Sequence, residues 1–174
     1  MKKYSSFRSQ LALQRGFTIV ELLLFMGLLL LLIGITTSVF TTAVSIQLES
    51  VAASSVQQDE RYIVAKLNYD IERATSIISP ASKGVSVNSL QLSIGGVTNT
   101  YAVSGGNLQV TANSVTNKLN GYDTSISNFS VIRSGNVGGI EDTVTVFFTL
   151  TSRTRKDNGY ETKSVQTTFA LRHH

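Results

Sequence analysis

Apolar residues dominate one long segment near the start of the chain. From Phe17 to Ile35, every residue except Thr18, Glu21 and two glycines is strongly apolar. An α-helix rises ~1.5 Å per residue, so this segment is long enough to cross the ~30 Å hydrocarbon layer of a membrane. The pattern predicts a transmembrane helix over about residues 17–38.

The helical pattern continues beyond the apolar run. Between Phe17 and Ser79 there is no proline, and Pro80 disfavours helix at the residue before it. A continuous helix over residues 17–79 would be ~95 Å long. Its second half has apolar residues mostly at steps of three or four, as a helix with one buried face requires: Val56, Ile63, Leu67, Ile71, Ala74 and Ile78.

The charged residues of the same stretch are interpreted as the solvated face of the helix. They are Glu60, Arg61, Lys66, Asp70, Glu72 and Arg73. The spacing allows ion pairs of Lys66 with Asp70 and of Asp70 with Arg73, each worth roughly a few tenths of a kcal/mol. Residues 36–58 are rich in Ser, Thr and Val, which are modest helix formers, so packing must hold the helix there. Gly27, Gly34 and the Thr36-Thr37 pair are candidate points of local bending.

The composition changes to Val, Thr, Ser, Asn and Gly from Ala81 onward, which predicts strands separated by turns. Turns are predicted at the glycine pairs 95–96 and 105–106 and at Asp157-Asn158-Gly159, a strong hairpin signal. The polar tip at 153–159 is interpreted as a solvated hairpin loop. The predicted strands are 89–94, 100–103, 108–111, 127–132, 143–151 and 164–171.

The sequence therefore predicts an α+β protein in which the second half of a long N-terminal helix packs on a small antiparallel β-sheet domain. We divide the chain into a leader at 1–16, the helix at 17–79 and a β-rich domain at 80–174.

The net charge of the chain belongs to its first residues. Lys2, Lys3, Arg8 and Arg15 precede the apolar run without any acidic residue, and the remaining 11 basic residues equal the 11 acidic ones. A basic flank stays in the cytoplasm by the positive-inside rule. No basic stripe is left once the leader is set aside, so no direct nucleic-acid partner is predicted.

Glu21 is the one charged residue inside the apolar run. A charge at the centre of a spanning helix costs about 2.5–3.5 kcal/mol on insertion scales, so an intramembrane acid is a functional-site hypothesis by default. Near the interface, Glu21 could instead extend towards water. A cleaved secretory signal is less favoured, because its apolar core is typically ~7–15 residues long.

The sequence Gly16-Phe17-Thr18-Ile19-Val20-Glu21-Leu22-Leu23 resembles the class III signal of type IV pilins and of the pseudopilins of type II secretion. The resemblance implies that prepilin peptidase cuts between Gly16 and Phe17 and that Phe17 becomes N-methylated. It also implies that Glu21 neutralises the terminal amine of a neighbouring subunit during assembly. Pairing with the amine of the same chain is left open by the sequence.

Further partners implied by this resemblance are other pilin or pseudopilin subunits, an inner-membrane assembly platform and membrane lipid. The implied location is the inner membrane, with a cytoplasmic N-terminus and an exported C-terminal domain, followed by a filament or its tip. The segments 61–74 and 101–108 are similar to parts of W-type minor pilins and J-type minor pseudopilins.

Enzymatic chemistry finds little support in the sequence. Cysteine is absent, and the two histidines are the terminal His173 and His174, interpreted as a tail or tag remnant. There is no nucleophile elbow and no phosphate-binding loop. Glu141 and Asp142 are interpreted as a solvated strand start. We predict no catalytic residue, no cofactor and no metal site, and we expect a structural filament subunit. The alternative is a membrane-anchored adhesin or binding domain that does not polymerise.

Overall fold

The computed structural model of the chain describes residues 17–135 and 142–171. The described residues form one helix and nine strands in two compact units, one within Met1–Ala43 and one within Val44–His174. The helix is α1 (Ile19–Glu72). The strands are β1 (Ser76–Ser79), β2 (Ser86–Val87), β3 (Ser89–Ile94), β4 (Val97–Ser104), β5 (Asn107–Ala112), β6 (Val115–Lys118), β7 (Thr124–Ser134), β8 (Thr143–Lys156) and β9 (Gly159–Ala170).

The α+β class predicted from the sequence is confirmed, with two antiparallel sheets where one was expected. The first sheet has the order β1-β3-β4-β5-β6 and the second the order β2-β7-β8-β9. Predicted strand 89–94 coincides with β3, and the other predicted strands each lie within or overlap an observed one. The interpretation of 153–159 as a loop is wrong for residues 153–156, which belong to β8. Lys156 pairs with Gly159 across a two-residue turn.

The predicted helix end at residue 79 is also wrong. Helix α1 ends at Glu72, and Ser76–Ser79 forms strand β1 against β3, with Ile77 opposite Leu92. The Thr75 amide begins this pairing by donating to the Ser93 carbonyl at 2.8 Å. A short apolar run fits a helix or a strand equally well, so periodicity alone does not choose between them. Residues 76–79 form a strand because the edge of β3 is available for pairing.

The core of the second unit lies between one face of α1 and the two sheets. The helix contributes fully buried side chains at steps of four, including Ile63, Leu67 and Ile71. Both sheets supply partners, among them Tyr101 and Phe148. Burial of each such large apolar side chain is worth about 1.5–3 kcal/mol relative to exposure, so this helix face and the sheets stabilise one another.

The prediction that Asp70 lies on the solvated face of the helix is wrong. Asp70 is 3% exposed. It follows Leu67 by three positions and Ile63 by seven, so it lies on the apolar face of the helix. The carboxylate accepts hydrogen bonds from the Tyr101 hydroxyl and from Lys66 Nζ, the latter at 2.9 Å. The predicted pair with Lys66 is confirmed. The predicted pair of Asp70 with Arg73 is not found; Arg73 donates to the Tyr69 hydroxyl at 2.5 Å.

Asp142 is likewise an ion-pair partner where a solvated strand start was expected. It pairs with Arg133 of β7 and, at 3.2 Å, with Lys83 Nζ. The hydrogen bond from Arg133 lowers the pKa of the Asp142 carboxyl below its ordinary value. Arg133 also donates to the carbonyls of Ile77 and Pro80, so this side chain ties the end of β1 to the second sheet. Glu141 lies outside the described residues.

Replacing Tyr101 by phenylalanine tests the buried contact with Asp70. The Tyr101→Phe variant leaves a carboxylate oxygen of Asp70 buried without its hydroxyl donor, so we expect the free energy of unfolding to fall by about 1–3 kcal/mol. The measurement is the urea midpoint of the full chain in micelles, followed by circular dichroism. Tyr62→Phe, on the exposed side of the same helix, is the matched control. Equal midpoints for the two variants would contradict a stabilising role for the contact.

The same contact predicts a loss of stability at alkaline pH. Burial and the neighbouring Asp70 raise the pKa of the Tyr101 phenol above its ordinary value of 10.0. The stabilisation is therefore complete below the ordinary value and declines above it, where the unfolded chain loses the proton that the folded chain keeps. Unfolding midpoints measured from pH 8 to about pH 11 should fall more steeply for the natural chain than for Tyr101→Phe. Parallel curves would exclude this linkage.

Candidate functional site

The candidate site predicted from the sequence comprises Gly16, Phe17 and Glu21. Gly16 and the rest of the leader lie outside the described residues, so the position of the cut stays a prediction. Phe17 is exposed, and Glu21 lies in the first turn of α1. In the full chain Phe17 is joined to Gly16 by a peptide bond, so the terminal amine proposed as a partner of Glu21 would arise only after cleavage.

A hydrogen-bonded cap opens the helix at Thr18. Its hydroxyl oxygen accepts the Glu21 amide at 3.2 Å, and its carbonyl accepts the Leu22 amide at 3.1 Å. Thr18 and Glu21 thus have the spacing of a capping box, in which a Ser or Thr cap is followed three positions later by Glu or Gln. The capping role of Thr18 was not predicted from the sequence, although Thr-x-x-Glu before an apolar run is the usual signal of a capping box.

The first turn of α1 is a favourable local position for the Glu21 carboxylate. A carboxylate in the first turn interacts favourably with the exposed amides of the helix N-terminus, typically by 0.3–1 kcal/mol at a surface. This stabilisation is smaller than the cost of about 2.5–3.5 kcal/mol for a charge at the centre of a membrane. Capping alone therefore does not offset deep burial of Glu21 in hydrocarbon.

The helix of the first unit is apolar on all sides and covered by nothing in the described chain. Every residue from Phe17 to Val44 is exposed, including long runs of leucine. One window of 18 residues reaches a mean hydropathy of 2.7. Exposed apolar surface of this extent marks contact with a membrane or a protein partner. The helix could span a membrane, which is consistent with a single-pass membrane protein.

The Thr- and Ser-rich stretch does not interrupt the helix. The hydroxyls of Thr36 and Thr37 each donate to the carbonyl four residues earlier, at 2.8 Å. Such bonds satisfy polar side chains that would otherwise lack partners in an apolar medium. The bends considered at Gly27, Gly34 and Thr36-Thr37 do not break the helix, which runs continuously from Ile19 to Glu72.

A second polar contact joins the helix to the connection between β6 and β7. Asp59 Oδ2 accepts the Gly121 amide at 2.8 Å and the Thr124 hydroxyl at 2.5 Å. Asp59 and Gly121 are 62 positions apart in the sequence, so no local pattern indicates their contact. The contact fixes the loop 119–123 to the helix within the second unit.

Metal-binding clusters find no support in the described ranges. Among residues 17–135 and 142–171, no three His, Asp or Glu side chains are grouped so as to hold a metal ion. Glu161 pairs with Lys156 Nζ at 2.5 Å. The expected absence of a catalytic role and of cofactors stays a prediction.

Comparison with known proteins gives no relative for this chain. No protein-family model matches it, and neither a curated protein nor a solved structure does. Fold and site define the class: an α+β protein with one N-terminal helix long and apolar enough to span a membrane.

Removing the Asp59 carboxylate tests the contact between the helix and the loop. Asp59→Ala leaves the Gly121 amide and the Thr124 hydroxyl without their acceptor, and we expect a loss of about 1–3 kcal/mol in the free energy of unfolding. The urea midpoint of the full chain is the measurement. Asp157→Ala, at the exposed turn between β8 and β9, removes the same charge and should change the free energy of unfolding by less than about 0.5 kcal/mol. An Asp59→Ala loss no larger than that of the control would refute the special role of Asp59.

Proposed function

We propose that this chain is a minor pilin or pseudopilin, a structural subunit of a type IV pilus-like or type II secretion filament. One observation carries the proposal: Glu21 is the sole charge of α1 before Glu49 and lies in the first turn of a helix whose apolar side chains are exposed as far as Val44. The same acid stands five positions after Gly16 in a sequence that resembles the class III signal. Polymerisation through the helix would supply the missing cover.

Maturation would create the partner of Glu21. Cleavage by prepilin peptidase between Gly16 and Phe17 leaves a positive amine one helical turn from the carboxylate. In or near hydrocarbon, each unpaired charge is costly, whereas a hydrogen-bonded pair is much less so. When the assembly platform moves a helix from lipid to the equivalent helices of other subunits, apolar burial continues and the amine of a neighbour can meet Glu21.

The second half of the helix would transmit this assembly to the β-rich part of the chain. Val56, Ile63, Leu67 and Ile71 are buried in the core of the second unit, and helix α1 is continuous with the apolar segment. A subunit incorporated through its helix therefore carries the sheets with it. The proposed subunit has a cytoplasmic N-terminus and an exported C-terminal part until it enters the filament.

The second candidate is a membrane-anchored adhesin or binding domain that never polymerises. The position of Glu21 in the first turn of α1 favours it, because the interaction of a carboxylate with the exposed amides of a helix N-terminus needs no other subunit. In that case the N-terminus of the protein in the membrane is uncut and unmethylated. The state of Phe17 therefore separates the two candidates.

Mass spectrometry of the N-terminus tests maturation. We expect the natural chain to begin at N-methylated Phe17 in cells with prepilin peptidase, and Gly16→Leu to keep its leader because a side chain there obstructs the protease. Gly27→Ala is the matched control, since a Cβ at Gly27 meets no atom within 4 Å, and it should be cut normally. A Gly16→Leu chain that still starts at Phe17 would show that the cut does not depend on Gly16 and would contradict cleavage by prepilin peptidase.

Two substitutions at Glu21 separate its charge from the polarity of its side chain. Glu21→Ala removes both, whereas Glu21→Gln removes only the charge. In either variant the backbone amide of residue 21 can still donate to the Thr18 hydroxyl. If pairing with the amine is what matters, both variants lose filament incorporation, on the order of 100-fold, from an uncompensated charge worth about 2.5–3.5 kcal/mol. Immunoblots of sheared filaments and of membranes measure incorporation and insertion, and insertion should be unchanged. Normal incorporation of Glu21→Gln would rule out the charge-pair mechanism.

A further inference from the structure

A small concave pocket lies at one end of the second unit. It has a volume of about 300 Å³ and is formed by the turn between β4 and β5, the end of β6, the loop 119–123 and one residue of β8. Its lining includes Asn107, Lys118, Tyr122 and Arg153. The pocket therefore combines amide groups, two cations and an aromatic ring on elements distant in sequence.

The two cations of the pocket have no acidic partner in the part of the chain that the structure describes. Lys118 is exposed at the end of β6, and no ion pair is formed there by Lys118 or by Arg153. Arg153 Nε donates to the Thr124 carbonyl at 3.1 Å, and its guanidinium carbon lies 5.8 Å from the centroid of the Tyr122 ring. This arrangement positions the Arg153 charge while leaving its terminal nitrogens available for an anion.

Two residues of the pocket lining, Asn120 and Gly121, are held by hydrogen bonds. Asn120, 6% exposed, accepts the Leu108 amide at 3.0 Å and donates to the Thr124 carbonyl at 3.1 Å. Asp59 fixes the adjoining Gly121 from the helix. A preformed site loses less conformational entropy when it binds a ligand. Tyr122, in contrast, is 87% exposed, so most of its ring is open to a ligand.

We propose that this pocket binds an acidic sugar unit, that is, a sugar ring bearing a carboxylate or a phosphate. Lys118 and Arg153 attract the anionic group through charge-assisted hydrogen bonds. The apolar face of the sugar ring packs on Tyr122, and Asn107 lies within the same pocket to contact hydroxyl groups. No described residue that lines the pocket belongs to α1.

The composition of the pocket favours an acidic sugar over a nucleic-acid strand. Single-stranded nucleic acid is bound by a positively charged groove with several stacking aromatics, one for each of a series of bases. This pocket contains one aromatic ring and two cations. Its volume is at the lower end of the range for small-molecule sites, as expected for one sugar unit.

Calorimetric titration of the full chain in micelles without sugar headgroups tests the proposal. The probes are glucuronic acid, glucose 6-phosphate, glucose, inorganic phosphate and a short single-stranded oligonucleotide. We expect at least one acidic sugar to bind with a Kd on the order of 1 mM, and glucose and phosphate to bind at least ~10-fold more weakly. The tighter of the two acidic sugars identifies the anion. The assignment would be overturned if glucose or inorganic phosphate bound as tightly as the acidic sugars. Binding of the oligonucleotide more tightly than the acidic sugars would also overturn it.

Substitutions locate the binding to the pocket. Lys118→Gln and Arg153→Gln should each weaken acidic-sugar binding about 10-fold, whereas Arg61→Gln on the exposed side of the helix changes the net charge equally and should have no effect. Lys118→Gln keeps the test valid if Arg153→Gln fails to fold, because the Lys118 side chain makes no described hydrogen bond. Tyr122→Leu should weaken acidic-sugar binding but leave the weaker phosphate binding unchanged. An equal loss for Arg61→Gln, or no loss for Lys118→Gln, would refute the site.

Discussion

Burial of one face of the helix between two sheets is the constraint on which the second unit depends. Ile63, Leu67 and Ile71 are fully buried there, and both sheets complete the same core. The chain has no cysteine, so this burial and the hydrogen bonds around it must stabilise the fold without a disulfide. The apolar face of α1 also determines where Asp59 and Asp70 meet the β-rich part.

The same helix has opposite surroundings in its two parts. Up to Val44 its apolar residues are exposed on every side, whereas beyond Ala52 one face is buried and the other is polar. The first part therefore calls for a membrane or other helices as its surroundings. Glu21 is the one charged residue in that part. Its backbone amide donates to the Thr18 hydroxyl, so that bond leaves the carboxylate available for the proposed assembly contact.

Polar contacts from the helix also organise the surface of the second unit. Asp59 holds Gly121 and Thr124, and Thr124 in turn accepts from Arg153 and Asn120. This chain of hydrogen bonds connects the helix to the lining of the proposed acidic-sugar pocket. A contact that stabilises the fold thus also fixes the geometry of a candidate binding site.

The sequence by itself determined the elements whose evidence is local: the apolar helix, the α+β class, the strand at 89–94 and the turn before Gly159. Phe17 is exposed and Glu21 lies in the first turn of α1, while their roles and that of Gly16 stay predictions. Tertiary structure alone decided that α1 ends at Glu72, that Asp70 is buried and that Asp59 binds a loop 62 positions away. The physical reason is that periodicity and turn chemistry act over a few residues, whereas strand pairing and buried hydrogen bonds depend on partners distant in the sequence.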